Sequence, residues 1–260
     1  MTQTALITGA TSGIGAEFAR QLAHRGYNLV LTGRNEDRLR TAAEDLAREF
    51  QVGTEYISAD LSTAEGVGRV GRRLEEPDIA VLVNNAGYGL KNSFEQNDLS
   101  TELDHLNVLV AAPLQLTHTA LNTMLSRPAG ADGAAGTGGG YIINVASVAG
   151  FLPRGTYSAA KTWLISFSRW ANAHYRGRGI TVTALCPGFV HTEFHQRMEM
   201  DKSRYPGWMW LAAERVVREG LADAFAGKAV SIPTRRYKVL ATIGTHAPQA
   251  LLARVAGRRR

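Results

Sequence analysis

Residues 4–15 read TALITGATSGIG, a short apolar run that opens into glycines at 9, 13 and 15 and then into a helical pattern over residues 14–24. No other stretch restricts the fold as much. Glycine at a strand-to-helix turn lets the backbone reverse tightly and approach a ligand, and the helix N-terminus beyond it supplies N–H donors and the positive end of a dipole. Such a turn suits an anion, a phosphate above all. The spacing is G-x3-G-x-G and not the commoner G-x-G-x-x-G. Its place, directly after a first strand and opening a helix, carries the reading. A turn with no ligand is the alternative.

The alternation continues. Strands are expected at 27–32, 55–59, 78–84, 141–146, 180–186 and 229–232, and helices at 36–50, 100–126 and 212–226, with a further helix from 155. Strands that alternate with helices of this length build a parallel sheet with helices on both faces. With 45% hydrophobic residues the chain has ample material for a core. The Gly/Ala-rich stretch PAGADGAAGTGGG at 128–140 reads as a surface loop and not as a domain linker.

From residue 155 the chain reads GTYSAAKTWLISFSRW, with Tyr157 and Lys161 four apart. On a helix they share a face. Tyrosine titrates near ~10, and a cation within about 4–6 Å lowers that value by roughly 1–3 units. The expectation is a phenol tuned to give a proton to a carbonyl oxygen or take one back. An amphipathic helix with an exposed lysine is the plainer alternative. Trp163, Phe167 and Trp170 recur on the same helix at i, i+4 and i+7. That stripe faces either a second copy, giving a homodimer or tetramer, or the chain's own sheet.

Charge is uneven. Residues 235–260 hold seven Lys or Arg and no acid, while the first 234 carry 22 basic and 23 acidic residues. The near-neutral body argues against nucleic-acid binding. The basic tail also contains apolar runs, VLATI and ALLARVA, and reads as a peripheral membrane contact or as a terminal helix packed on the body. A single cysteine, Cys186, excludes an intrachain disulfide and suits a reducing compartment. With no signal-like N-terminus and no apolar run of transmembrane length, a cytoplasmic location is expected. His191 and His195 have no evident third partner, so no metal site is expected.

The segments TGATSGIG, NNAG at 84–87, Asn107, Ser147 and the Tyr157/Lys161 pair occur in an order and at positions that resemble the short-chain dehydrogenase/reductase family over about residues 3–192. The resemblance implies a single-domain α/β fold, a Rossmann-type doubly wound parallel sheet of about seven strands. It implies that Tyr157 is the acid/base, that Lys161 lowers its pKa and contacts the nicotinamide ribose, that Ser147 polarises the substrate carbonyl, and that Asn107 helps hold a relay water. It further implies cofactor contacts from Gly9, Thr11, Ser12, Gly13, Ile14 and Gly15, from Asp60 and Leu61 at the adenine, from Asn85, Ala86 and Gly87, and from Pro187, Gly188 and Thr192 beside the nicotinamide. One departure stands out: Ser147 and Tyr157 are ten positions apart, fewer than is usual in the family, which changes the shape of the substrate pocket.

Arg34 follows the second strand, and no acid occupies 32–34. An acid there would bind the ribose 2′-hydroxyl of NAD, whereas Arg holds the 2′-phosphate of NADP. The expectation is therefore an NADPH-dependent oxidoreductase, a carbonyl reductase or alcohol dehydrogenase, in residues 1–234. The resemblance implies a substrate lid at about 191–212, a stretch that holds Phe194, Tyr205, Trp208 and Trp210. These aromatics suit a hydrophobic ketone or secondary alcohol, fatty-acyl or steroid-like. The reading from another class is a non-catalytic NADP-binding sensor or scaffold.

Overall fold

A computed structural model describes residues 3–127, 139–192 and 206–246. Nearly all of the Gly/Ala loop, Phe194, His195 and Tyr205 of the expected lid, and the last fourteen residues of the tail lie outside the described residues.

Seven strands form one sheet: β1 (Thr4–Thr8), β2 (Asn28–Gly33), β3 (Thr54–Ser58), β4 (Ile79–Asn84), β5 (Gly140–Val145), β6 (Ile180–Leu185) and β7 (Val230–Ser231). Their order is β3-β2-β1-β4-β5-β6-β7, and every neighbouring pair is parallel. Alternate residues feed two separate cores. Ala5, Ile7, Leu29, Leu31, Val81 and Val83 meet α1 (Gly13–Ala23), α2 (Glu36–Phe50) and α7 (Ala213–Phe225) through Phe18, Leu22, Leu39, Val217 and Leu221. Leu6, Val30, Leu82 and Ile142 meet the opposite layer through Val67, Val70, Leu116, Ala120 and Ala171. Those residues lie on α3 (Ala64–Leu74), α5 (Ala112–Leu125) and α6 (Gly155–Tyr175). Burial on both faces explains why the strands read as nearly continuous apolar runs.

The sheet reverses its direction of growth at β1, which pairs with β2 on one side and β4 on the other. In doubly wound sheets ligands bind beyond the carboxyl ends of the strands at this point.

The helical region expected over 100–126 is present over 99–125, with one irregular turn inside it. It runs as α4 (Leu99–Leu106), a π-helical turn over Asn107–Ala111, and α5. Pro113 sits in the first turn of α5. It lacks the N–H that would bond Leu109, and its ring crowds that carbonyl, so the wider turn relieves the conflict. The charge boundary at residue 234 falls at the start of a helix. Residues Arg235–His246 form α8, which docks on the domain through Tyr237, Ala241 and Gly244. Tyr237 is 2% exposed; its hydroxyl donates to the Met209 carbonyl at 2.6 Å and accepts from the Phe189 N–H at 3.1 Å.

Candidate active site

The first turn is shaped by close approach. Gly9 and Gly13 adopt φ of +66° and +57°, a left-handed region that costs glycine little. At Gly15 an added Cβ would lie 2.2 Å from the Gly9 carbonyl oxygen and 2.4 Å from Asn85 Nδ2. Asn85 Nδ2 donates to the carbonyls of Thr8 (2.8 Å) and Gly9 (3.1 Å). Thr8 Oγ1 in turn accepts from the backbone N–H groups of Asn85 and Ala86 at 2.9 and 3.0 Å. The glycine turn and the Asn84-to-Gly87 turn after β4 are thus one unit. Thr192, after β6, packs on it: an added Cβ at Gly13 would meet Thr192 Cγ2 at 2.9 Å.

Arg34 is exposed at the end of β2. Arg38, on the first turn of α2, reaches the glycine turn itself, where its Nη2 donates to the Thr11 carbonyl at 3.2 Å. Sequence reasoning missed Arg38, although Asn35 capping the helix at the Arg38 N–H fixes where that residue falls. Asp60 accepts from the N–H and hydroxyl of Ser62 at 3.0 and 2.9 Å, and the N–H bond holds its carboxyl below the usual carboxylate range. Leu61 beside it is buried.

The reactive cluster sits where β5 gives way to α6. Ser147 ends the β5 segment, accepts from the Ala149 N–H at 3.1 Å and hydrogen-bonds the Tyr157 side chain. Lys161 is 5% exposed, and its Nζ donates to the Val145 carbonyl at 2.8 Å. An added Cβ at Gly87 would lie 3.8 Å from that nitrogen and 2.8 Å from Leu109 Cδ2, so the β4 turn, Lys161 and the π turn meet here.

The electrostatics correct the expectation for Tyr157. Burial pushes its phenol up to about 12, with only the Ser147 bond opposing. Lys161 lies 5.6 Å from the phenol ring centroid, but its proton goes to the Val145 carbonyl, and burial pulls its own value down to about 8. A shared helix face thus sets the ammonium over the phenol ring, while its hydrogen bond goes to the Val145 carbonyl.

Asn107 opens the π turn, and its Nδ2 donates to the Ser62 carbonyl at 3.1 Å. The side-chain amide is thus engaged by the loop after β3. A residue the sequence did not single out stands closer to the phenol. His105, fully buried on α4, stacks on the Tyr157 ring at 6.2 Å and 26°. Its Nε2–H donates to the Tyr88 carbonyl at 3.0 Å, leaving a bare, buried Nδ1 without a partner among the described residues. One turn earlier, Glu102 is buried and accepts from Asn97 Nδ2 at 2.8 Å. Beneath the cluster a chain of polar side chains crosses the sheet. Asn84 Nδ2 donates to Thr117 Oγ1 and Asn144 Oδ1, and Asn144 Nδ2 to Ser168 Oγ, at 2.9–3.0 Å.

Pro187 and Gly188 follow β6, and the Tyr237 ring fills the space where a Gly188 side chain would stand. Of the expected lid, Trp210 is buried between Phe189 and His191, at ring distances of 5.4 and 5.1 Å, while Trp208 is 57% exposed. No group of three metal-binding side chains occurs among the described residues.

The chain is 34% identical over 194 residues to the human inactive hydroxysteroid dehydrogenase-like protein 1, a match covering 72% of this chain and 56% of that protein. It is 34% identical over 197 residues to the very-long-chain 3-oxoacyl-CoA reductase of Anas platyrhynchos, covering 73% and 60%. The chain therefore spans little more than half the length of these relatives. Among solved structures, a short-chain dehydrogenase from Sphingobium yanoikuyae in complex with NADPH superposes with a TM-score of 0.81 at 29% identity, over 96% of this chain and 95% of that one. A profile of the short chain dehydrogenases matches residues 3–203, and the chain belongs to that family of oxidoreductases, built on an NAD(P)-binding fold.

Proposed function

We propose that this protein is an NADPH-dependent carbonyl reductase or alcohol dehydrogenase acting on a hydrophobic ketone or secondary alcohol. The observation that carries the reading is the Ser147, Tyr157 and Lys161 cluster at the mouth of the crevice. The relatives' names, a 3-oxoacyl-CoA reductase and a hydroxysteroid dehydrogenase-like protein, support a fatty-acyl or steroid-like substrate.

The first turn fits a dinucleotide: a Cβ would fill the cradle at Gly15 and at Gly13. Gly9, Thr11, Ser12 and Ile14 would line its pyrophosphate. Arg34 and Arg38 would hold a 2′-phosphate, and Asp60 and Leu61 would border the adenine. Asn85 to Gly87, Lys161, Pro187, Gly188 and Thr192 would surround the nicotinamide end. When bound, the nicotinamide supplies or accepts the hydride at the substrate carbon. The chain's own residues handle the proton. Ser147 Oγ and Tyr157 Oη donate to the carbonyl oxygen, and Tyr157 passes its proton to that oxygen as charge develops there. A phenol held near 12 is fully protonated at neutral pH, the form that reduction requires. Lys161 sets a cation beside the phenol ring and stabilises the phenolate left behind.

NADPH oxidation over a panel of long-chain 3-oxoacyl and steroid ketones tests this. Tyr157→Phe should lower kcat by ~10²–10⁴-fold and leave NADPH affinity nearly unchanged. A variant that keeps more than a tenth of wild-type kcat overturns the assignment. The human relative's name includes the word inactive, which favours a second reading, a non-catalytic NADP-binding sensor. Tight NADPH binding with no turnover on any ketone would select it.

We propose a homodimer as the working form. Leu99, Leu103 and Leu106 on α4 and Trp170 on α6 are exposed, and Trp163, Phe167 and Trp170 stack along α6 at 5.0 and 5.9 Å. Apolar side chains left exposed on α4 and α6 suit an isologous interface with a second copy. A monomer mass by light scattering at micromolar concentration rules the dimer out.

A further inference from the structure

The outer face of α8 is unusual for a helix docked on a folded body. Tyr237, Ala241 and Gly244 point inward. Val239 and Ile243, one turn apart on the opposite side, are 58% and 55% exposed, and Leu240 beside them is 43% exposed. Exposed aliphatics at this density on a short helix mark a contact surface and not a solvated face. The charge around them is of one sign. Arg235, Arg236 and Lys238 flank the patch, and the helix holds no acid. Glu219, the acid whose charge reaches Lys238, is already engaged by Arg215 Nε at 2.7 Å and by the Thr234 N–H at 2.9 Å. Arg236 lies 5.9 Å from the ring centroid of exposed Trp208. An indole beside basic residues and aliphatics is the composition of a membrane-water interface.

We infer that α8, with Trp208, is an anionic-lipid docking surface. Its aliphatic face enters the headgroup boundary and its basic flanks meet phosphate and carboxylate headgroups. No helix among the described residues is long and apolar enough to span a bilayer, so the contact is a surface one. The position of the helix gives the contact a purpose. The inner side of α8 fills the space beside Gly188, and Gly244 packs against the Phe151 carbonyl and Leu152. Those residues belong to the turn after β6 and to the short Ser147-to-Tyr157 loop. A bilayer held by α8 therefore lies beside the crevice mouth, where an apolar substrate would leave it.

Full-length protein and sedimented vesicles test the inference. Binding to phosphatidylcholine vesicles containing 30% phosphatidylserine is expected at low salt, with little binding to pure phosphatidylcholine and release at high salt. Replacing Arg235 and Lys238 with Ser should lower the partition coefficient about 30-fold, since each basic residue near an anionic surface contributes on the order of fivefold. Val239→Ser with Ile243→Ser should lower it at least about tenfold without changing the thermal midpoint. A third variant converts Arg254, Arg258, Arg259 and Arg260 to Ser and is expected to retain binding. Loss of binding in this variant alone, no binding by wild type, or a halved molecular mass in the Val239/Ile243 variant would each overturn the inference. The last outcome would give the face to a second copy.

Discussion

The imidazole of His105 lies against the phenol ring of Tyr157, centroids 6.2 Å apart and planes 26° from parallel. The histidine is itself fixed by its bond to the Tyr88 carbonyl, so the phenol is packed against a ring that cannot swing. Burial holds the imidazole pKa below its ordinary value, against the pull of the Tyr88 carbonyl and Glu102, and the ring stays neutral at physiological pH. His105→Leu removes the flat support and is expected to lower kcat about 10–100-fold through misplacement of the phenol, with NADPH affinity unchanged. His105→Phe keeps a ring and should recover most of the rate. Equal kcat in wild type and His105→Leu would show that the stack has no catalytic consequence.

Lys161 makes a pH prediction. Burial penalises its charged form and brings it to about 8. Below that pH the amine is a cation beside Tyr157, and above it the charge is lost. The rate of ketone reduction, as kcat/KM, should therefore fall as pH rises through about 8. The stability sign is opposite. The unfolded chain binds the extra proton between about 8 and the ordinary 10.5, so this residue's contribution to stability rises with pH across that window. A kcat/KM profile flat to pH 10 would remove Lys161 from the proton chemistry.

Under the proposed function, Arg34 and Arg38 would divide the cofactor preference. Arg34→Asp is expected to weaken NADPH relative to NADH by about 10–150-fold, the range for a charge-assisted contact of 1.5–3 kcal/mol. Arg38→Ala should weaken both cofactors, because it also loosens the glycine turn at Thr11. Kd values for both nucleotides check this. Unchanged ratios in Arg34→Asp would make Arg34 a surface residue.

The amino-terminal ends of β1 and β4, in the middle of the sheet, offer a stability test away from the site. Arg73 donates to both oxygens of Asp78 at 2.8 Å, and Thr4 Oγ1 adds a bond at 2.6 Å. Asp78 is held at about 2 against an ordinary 3.8. The stabilisation is present above 3.8 and is lost as pH falls through 2. Asp78→Asn should cost about 2 kcal/mol at pH 7, and urea melts should show the difference closing between pH 4 and 2.

The strands were legible in the sequence to within about two residues because both faces of the central strands are covered, which forces nearly unbroken apolar runs in them; the edge strand β3, with Glu55 and Tyr56 exposed, is the exception. The helix α3 was not. Its sequence, AEGVGRVGRRL, carries three glycines, which weaken any local helical signal. It forms because Thr63 caps the Gly66 N–H and because Gly66 must pass where a side chain would strike the Asp60 carbonyl at 1.9 Å. The Tyr157 and Lys161 positions were legible from spacing, but their protonation was not. Burial and the Val145 carbonyl decide it, and neither is local. His105 gave no sequence signal, since its value comes from Tyr88 and Tyr157, 17 and 52 positions away. On α8, the run of basic residues hid the Tyr237, Ala241 and Gly244 stripe that docks it.

The bond set joining Thr8 and Gly9 to Asn85 and Ala86 also dictates an order of events during synthesis. The glycine turn leaves the ribosome well before the residue that shapes it, an amide some 77 residues later. Until β4 has emerged, β1 has a partner on one side at most, and the turn has nothing to hold its carbonyls. The nascent chain therefore carries an open, apolar β1 through the making of three helices and two further strands. Closing that separation is a slow, non-local step. An early stop or a stalled ribosome before residue 86 would release a fragment with no nucleotide turn and an unguarded sheet edge, a substrate for chaperones and proteases.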